Sequence, residues 1–159
     1  MFRLSAEGEA FVKKELTRYE DRKSAIIPSL YRVQEENGGW VSPECVKYLS
    51  QLMDLPEAWI EEVLTFYTMF NKQPVGKLNV QVCTNVSCAM NGGRELLSHL
   101  CKTFNTEEGA VSADGRYSFI RVECLGACDK APMMQVNVED YHENLTHEKA
   151  VEILKGMKV

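Results

Sequence analysis

Four cysteines constrain this chain more than anything else in it. Cys83 and Cys88 form a C-x4-C pair, and Cys124 and Cys128 form a C-x3-C pair after residues 89–123. Each pair falls where a predicted strand gives way to a loop. LNVQVC (78–83) alternates, is rich in β-formers and ends on Cys83; YSFIRVEC (117–124) ends on Cys124. Neighbouring strands would bring both loops to one edge of a sheet, so that four thiolates converge. The remaining two, Cys45 and Cys101, lie on the apolar faces of predicted helices and read as packing residues.

The compartment decides how such cysteines are read. The N-terminal stretch MFRLSAEGEAF carries Glu7 and Glu9 and has no apolar core. It resembles neither a secretory signal nor an Arg-rich transit peptide. No run of 18 apolar residues is present, so no direct membrane insertion is expected. The expectation is a cytoplasmic, reducing location, where paired cysteines point to metal or redox chemistry and not to disulfides. A net charge of -5, with no Lys/Arg cluster, argues against nucleic acid as a partner.

The chain has 159 residues, 45% of them hydrophobic, enough for one ordinary domain or two small ones. Residues 1–75 read as a small helical bundle. A first helix is predicted over 5–20 and a second over 24–37, with Pro28 costing it a backbone bond and Gly38-Gly39 ending it. Ser42-Pro43 opens a third as N-cap and first residue, and Pro56 a fourth. Composition changes around 71–76. Residues 76–159 then read as strand, helix over 92–104, strand, a hairpin of 133–138 with 141–145 turning about Glu139-Asp140, and a last helix capped by Thr146. That is an α/β sandwich, with helices on a small mixed sheet.

Three groups could use the four thiols. Structural zinc favours C-x2-C knuckles, although spacings up to C-x4-C occur. A dinuclear iron-sulfur cluster also takes four thiolates and suits wider loops. A thiol oxidoreductase would more commonly carry C-x2-C, which is absent. Spacing favours the [2Fe-2S] cluster over zinc, and the residues between the second pair favour it further. Leu125-Gly126-Ala127 adds almost no side-chain bulk, Gly126 can take positive φ, and backbone N–H groups of Gly126 and Ala127 can then point at anionic sulfur. His99, His142 and His147 share no spacing with the cysteines and read as surface or structural residues. Glu35-Glu36, Glu61-Glu62 and Glu107-Glu108 read as solvated faces. Phe66 to Phe70 reads as core packing, with a partner-facing patch as the sharper alternative. No phosphate loop, G-x-S-x-G or nucleophilic Cys/His pairing is present.

VQVCTNVSC (80–88), VECLGACDKAPMMQVN (122–137) and DYHENLT (140–146) together resemble the thioredoxin-like [2Fe-2S] ferredoxins, specifically the E-type subunits of NADH:quinone oxidoreductase, respiratory complex I. AIIPSLYRVQEENGGWVS (25–42) and EEVLTFYTMF (61–70) extend the likeness over the helical half. The resemblance implies a helical bundle followed by a thioredoxin-like domain, with one [2Fe-2S] cluster on Cys83, Cys88, Cys124 and Cys128. It implies an F-type flavoprotein partner that binds FMN and NADH, in the peripheral arm of a membrane-bound complex. No bond of a substrate would be made or broken on this chain. The same pattern fits the [2Fe-2S] subunits of NAD(P)-linked hydrogenases and formate dehydrogenases. Glu123, beside Cys124, is expected to tune such a cluster. A carboxylate about 8 Å away, at an effective dielectric of about 20, interacts by roughly 2 kcal/mol. That depresses a one-electron potential by about 90 mV, and by less if the side chain points to solvent.

Overall fold

The computed structural model describes residues 2–138 and 140–158. They form two compact units, Met1–Pro74 and Val75–Val159.

The first unit is four α-helices: α1 (Ala6–Arg18), α2 (Ile26–Glu36), α3 (Pro43–Met53) and α4 (Glu57–Phe66). Side-chain caps fix two of the starts. Ser5 Oγ accepts from Gly8 N at 3.0 Å, and Ser42 Oγ from Cys45 N at 3.3 Å with Pro43 as first helical residue. A 3-10 turn, Arg22–Ala25, leads into α2. Because α2 begins at Ile26, Pro28 is its third residue and sits in the first turn, where N–H groups have no intrahelical partner. The predicted loss of a helical bond at Pro28 is therefore avoided.

Val12, Ile26, Leu30, Val33, Leu49, Met53 and Ile60 meet in one core with Cys45, which is fully buried as expected. Each large apolar side chain there contributes about 1.5–3 kcal/mol by burial. Glu36 is not the solvated carboxylate its sequence neighbourhood implied. It accepts from Ser5 N at 2.6 Å, Ser5 Oγ at 2.8 Å and Arg32 Nε at 2.8 Å, and so anchors the start of α1. Gln34 holds the segment after α4, donating to Met69 O and accepting from Asn71 N. Phe70, nearby, is buried edge-on to Tyr31, whereas Phe66 stays 76% exposed. The Phe66–Phe70 stretch thus divides between core and surface.

The second unit is a four-stranded sheet in the order β2-β1-β3-β4, with helices: β1 (Leu78–Cys83), α5 (Val86–Met90), α6 (Gly93–Thr103), β2 (Tyr117–Val122), β3 (Met134–Val136), β4 (Asp140–His142) and α7 (His147–Gly156). Central β1 runs parallel to β2, with Leu78 opposite Tyr117 and Cys83 opposite Val122, and antiparallel to β3. The parallel pair needs a long crossover, which α5 and α6 supply. Leu78, Val80, Val82, Phe119, Met134 and Val136 pack in one core with Leu96, Leu100, Ala150 and Leu154. Thr146 caps α7 as expected, accepting from Lys149 N at 3.2 Å.

Two features of this sheet differ from the prediction. All six residues of β1 are buried, so the alternation of Asn79 and Gln81 marks no solvent face. Asn79 is satisfied inside: its side chain accepts from Ser118 Oγ at 3.0 Å, and its N–H donates to Asn137 Oδ1 at 2.8 Å. The hairpin strands are only three residues each. Of the predicted turn, Glu139 lies outside the described residues; Asn137 and Val138 before it take φ of 52° and 69°. The chain is thus N-terminal helices followed by a mixed sheet with helices, an α+β arrangement. Among the described residues no helix is long and apolar enough to cross a membrane.

Candidate metal centre

Cys83, Cys88, Cys124 and Cys128 line one cavity of about 460 Å³, together with Asn85, Val86, Ser87, Met90 and Asn91. Cys83 closes β1 as predicted. Cys88 lies not in an open loop but on the short helix α5, which the sequence reading missed. Asn85 is the N-cap of α5, its Oδ1 taking Val86 N at 2.7 Å; an Asn followed by V-S-C-A-M was the available signal. β2 ends at Val122, so Cys124 sits two residues beyond the strand, and Cys128 opens a 3-10 turn, Cys128–Lys130.

The thiols differ in environment. Cys83 and Cys88 are buried, at 3% and 2% exposure, within a small cluster with Ala127 and Met133. Cys124 and Cys128 are exposed, with their sulfurs 3.3 Å apart. Burial pushes the Cys88 thiol up to about 11, and its hydrogen bond with Cys83 adds to this. The Gly126 N–H, 3.4 Å from Cys124 Sγ, and then the Cys128 thiol hold Cys124 below the usual thiol range. Cys128 is raised in turn, first by its hydrogen bond to Cys124. Met133 N–H reaches Cys88 as well. Backbone donors thus point at one sulfur of each pair.

Glycine is required at two places. Gly126 has φ of +88°, which aims its N–H back at Cys124. At Gly93 a Cβ would stand 2.6 Å from Cys83 O and 2.9 Å from Cys88 O. Only a bare backbone lets α6 start against both cysteine-bearing segments. Gly93 has this packing role, whereas Gly92 before it takes a φ of +88° as the N-cap residue of α6 and meets nothing nearby.

Side chains lace the two cysteine loops together. Ser87 Oγ donates to Cys128 O at 2.7 Å, and Asn85 Nδ2 donates to Glu123 Oε2 at 2.5 Å. Glu123 is therefore turned toward Asn85 on the exposed rim. Tyr141 OH bonds Leu125 O at 3.2 Å. None of Asn85, Ser87, Gly93 or Tyr141 was singled out as a site residue by the sequence.

The residues away from the cavity are also placed. Cys101 is half-buried, not fully buried; burial first, and then Glu108, raise its thiol. Glu108 is no free carboxylate, since it grips Arg121 with both oxygens, at 2.5 and 2.6 Å. His99 and His147 stack on each other at 4.5 Å, and neither lines the cysteine cavity.

The donor set fits an iron-sulfur cluster. Four free thiols share a cavity whose lining contains no carboxylate or imidazole. A zinc ion would draw four ligands to one point at about 2.3 Å. Among the described residues no three Cys, His, Asp or Glu side chains converge on such a point. The thiols instead fall into two pairs, Cys83 with Cys88 and Cys124 with Cys128, around a common space. Pairs suit a group with two metal atoms.

Comparison with known proteins agrees with this chemistry. The model of the thioredoxin-like [2Fe-2S] ferredoxin family matches residues 12–158. The E subunit of NADH-quinone oxidoreductase from Rickettsia bellii is 37% identical over 158 residues, 94% of each chain. Another E subunit of that enzyme, from Rhizobium meliloti, is 40% identical over 89% of this chain and 83% of its own. NADH-quinone oxidoreductase subunit 2 of Thermus thermophilus is 37% identical over 96% and 84%. The crystal structure of an air-oxidized NAD+-reducing [NiFe]-hydrogenase shares the fold, with a TM-score of 0.68 at 22% identity. That likeness covers 82% of this chain and 22% of the hydrogenase chain.

Proposed function

This chain belongs to the thioredoxin-like [2Fe-2S] ferredoxin family, and on that premise we propose that it is the electron-transfer subunit of an NADH:quinone oxidoreductase. Cys83, Cys88, Cys124 and Cys128 hold one [2Fe-2S] cluster, which when bound supplies storage for a single electron. The observation that carries this reading is the four-thiol cavity with its two pairs. The relatives at 35–40% identity, named as subunits of NADH-quinone oxidoreductases, support the assembly. The electron partner is then a flavoprotein carrying FMN and the NADH site, in the peripheral arm of a membrane-bound complex.

In this reading the chain makes and breaks no substrate bond. Its residues hold and tune. Cys83 and Cys88, buried, exclude water from one side of the cavity. The Gly126 and Met133 N–H groups donate to Cys124 and Cys88, favouring the more negative, reduced state and so a higher potential. Glu123 acts in the opposite direction, moderated by solvent and by Asn85. The same reading takes residues 1–75 as a helical domain and 76–159 as the cluster-binding domain.

A second reading, the equivalent subunit of an NAD-linked hydrogenase, is favoured by the fold shared with that hydrogenase chain. One experiment separates them. A tag on this chain is used to isolate its complex anaerobically, and NADH is added. Under the primary reading quinone is reduced and the companion chains are those of a quinone reductase. A complex that oxidises hydrogen with NAD+ would replace it with the second reading.

A further inference from the structure

The two halves of the cysteine cavity differ in what can reach them. Cys83 and Cys88 are 3% and 2% exposed and pack against Ala127 and Met133. Cys124 and Cys128 are open to solvent, with their sulfurs 3.3 Å apart. A disulfide needs about 2.05 Å between its sulfurs, so closing the outer pair asks for a movement of about 1 Å, within reach of side-chain rotation.

The loop between them permits that closure. Gly126 is its midpoint, at φ of +88°, and nothing lies within 4 Å of where a Cβ on it would stand. Two ties fix the loop from outside. Ser87 Oγ donates to Cys128 O at 2.7 Å, and Tyr141 OH to Leu125 O at 3.2 Å. Both engage backbone oxygens, so they keep the two sulfurs side by side and leave the cysteine side chains free to turn. The main core of this unit is built without the four cavity cysteines, so its packing does not depend on what they bind. The other thiols are shielded or remote. Cys45 is fully buried in the helical unit, and Cys101 lines a separate cavity with Arg94 and Arg121.

We propose that in the cluster-free chain Cys124 and Cys128 form a reversible disulfide, which blocks cluster insertion until it is reduced. The oxidant is a low-molecular-weight disulfide, of which oxidised glutathione is the probe used here. One exposed thiolate attacks it, forming a mixed disulfide and releasing one small thiol. The neighbouring thiolate then attacks the protein sulfur of that mixed disulfide, and the second small thiol leaves. The protein gives up two electrons and two protons, and the small disulfide becomes two thiols. A dithiol reverses the same steps, and an exposed bridge of this kind is the readily reduced sort. Cys83 and Cys88 stay as thiols, because burial keeps the oxidant from them. The blocking of a cluster rests on the reading of the cavity as the cluster site; the bridge itself does not, and the test reads the two separately.

The full chain is stripped of metal with a chelator, reduced, freed of reductant, and compared with the loaded chain by far-UV CD. It is then equilibrated with oxidised glutathione, its free thiols are alkylated after unfolding, and its peptides are mapped by mass spectrometry. One bridge is expected, Cys124–Cys128, with Cys45, Cys83, Cys88 and Cys101 recovered as thiols. Cys128→Ser cannot close the pair and keeps one glutathione on Cys124 instead. Iron and sulfide uptake by the bridged chain falls by about tenfold or more, because two of four ligands are consumed, and dithiothreitol restores it. A Cys83–Cys88 bridge, a scrambled mixture or no bridge would overturn the proposal. Loss of the fold on stripping would overturn it too, since the outer sulfurs would no longer be held together. Uptake by the bridged chain at the reduced chain's level would overturn the block. A reduced chain that takes up neither iron nor sulfide would remove the cluster reading and the block with it, while the bridge stands or falls on its peptide map.

Discussion

The two units of this molecule are held together in opposite ways. In the helical unit one continuous core carries the structure, and polar contacts such as Glu36 with Ser5 and Tyr48 with Glu9 trim its edge. In the sheet unit the main core stops short of the thiols. Beyond it lies only a small cluster of Cys83, Cys88, Ala127 and Met133, and the cysteine loops depend on hydrogen bonds and on a bare glycine backbone. A region stabilised by burial tolerates exposure poorly. A region stabilised by backbone donors and short side-chain ties can leave two thiols open to a partner. The four-cysteine end is the second kind.

The largest expected effect separates the units through the first core. Leu49→Ala removes a fully buried side chain from α3 and costs about 2–5 kcal/mol. The part of the helical CD signal that comes from α1 to α4 should fall at a lower temperature, while the cluster's visible absorption holds to its parent midpoint. Loss of both signals together would show that the two units unfold as one and would remove the division at 75.

Gly93→Ala probes the other side of the contrast. Its Cβ meets backbone on both cysteine segments, so a shift is unavoidable, at a cost of about 1–3 kcal/mol. The cluster should be lost faster to a chelator and its EPR line should broaden, while the part of the helical CD signal that comes from α1 to α4 is kept. Parent behaviour would mean that α6 does not set the cysteine geometry.

Much of this was legible in the sequence, and the limits are physical. The caps at Ser42 and Thr146, the buried Cys45 and the strand end at Cys83 follow from local rules, because each depends on residues within a turn or two. The gathering of four cysteines followed from strand ends alone. Glu36, Asn79 and Gly93 were not legible, because their roles depend on Ser5, Ser118 and the cysteine carbonyls, contacts made only when separate segments meet. The helix α5 is too short for hydrophobic periodicity to reveal it.

A smaller effect lies in the pH dependence of the helical unit. Burial and the Glu9 hydrogen bond push Tyr48 up to about 12 from its ordinary 10. The neutral phenol is the form favoured by folding. Its stabilisation is complete below about pH 10 and is lost as pH rises from there to about 12. Tyr48→Phe should flatten that part of the alkaline limb, measured as the thermal midpoint of helical CD against pH. An unchanged alkaline limb would remove Tyr48 from the account.

The smallest effect is electrostatic. Glu123→Gln should raise the cluster potential by about 20–90 mV, the range set by effective dielectrics of about 80 and about 20 at about 8 Å. Its exposure and its bond to Asn85 favour the lower end. A redox titration followed by EPR measures it, and a downward shift would contradict the sign.

Whether the four thiols hold a cluster is decided by the metal and sulfide content of the anaerobically isolated chain, alongside Cys→Ser variants at 83, 88, 124 and 128. About two irons and about two acid-labile sulfides per chain are expected, with visible absorption altered or lost in each variant. Stoichiometric zinc with no sulfide, or a spectrum indifferent to those serines, would contradict it.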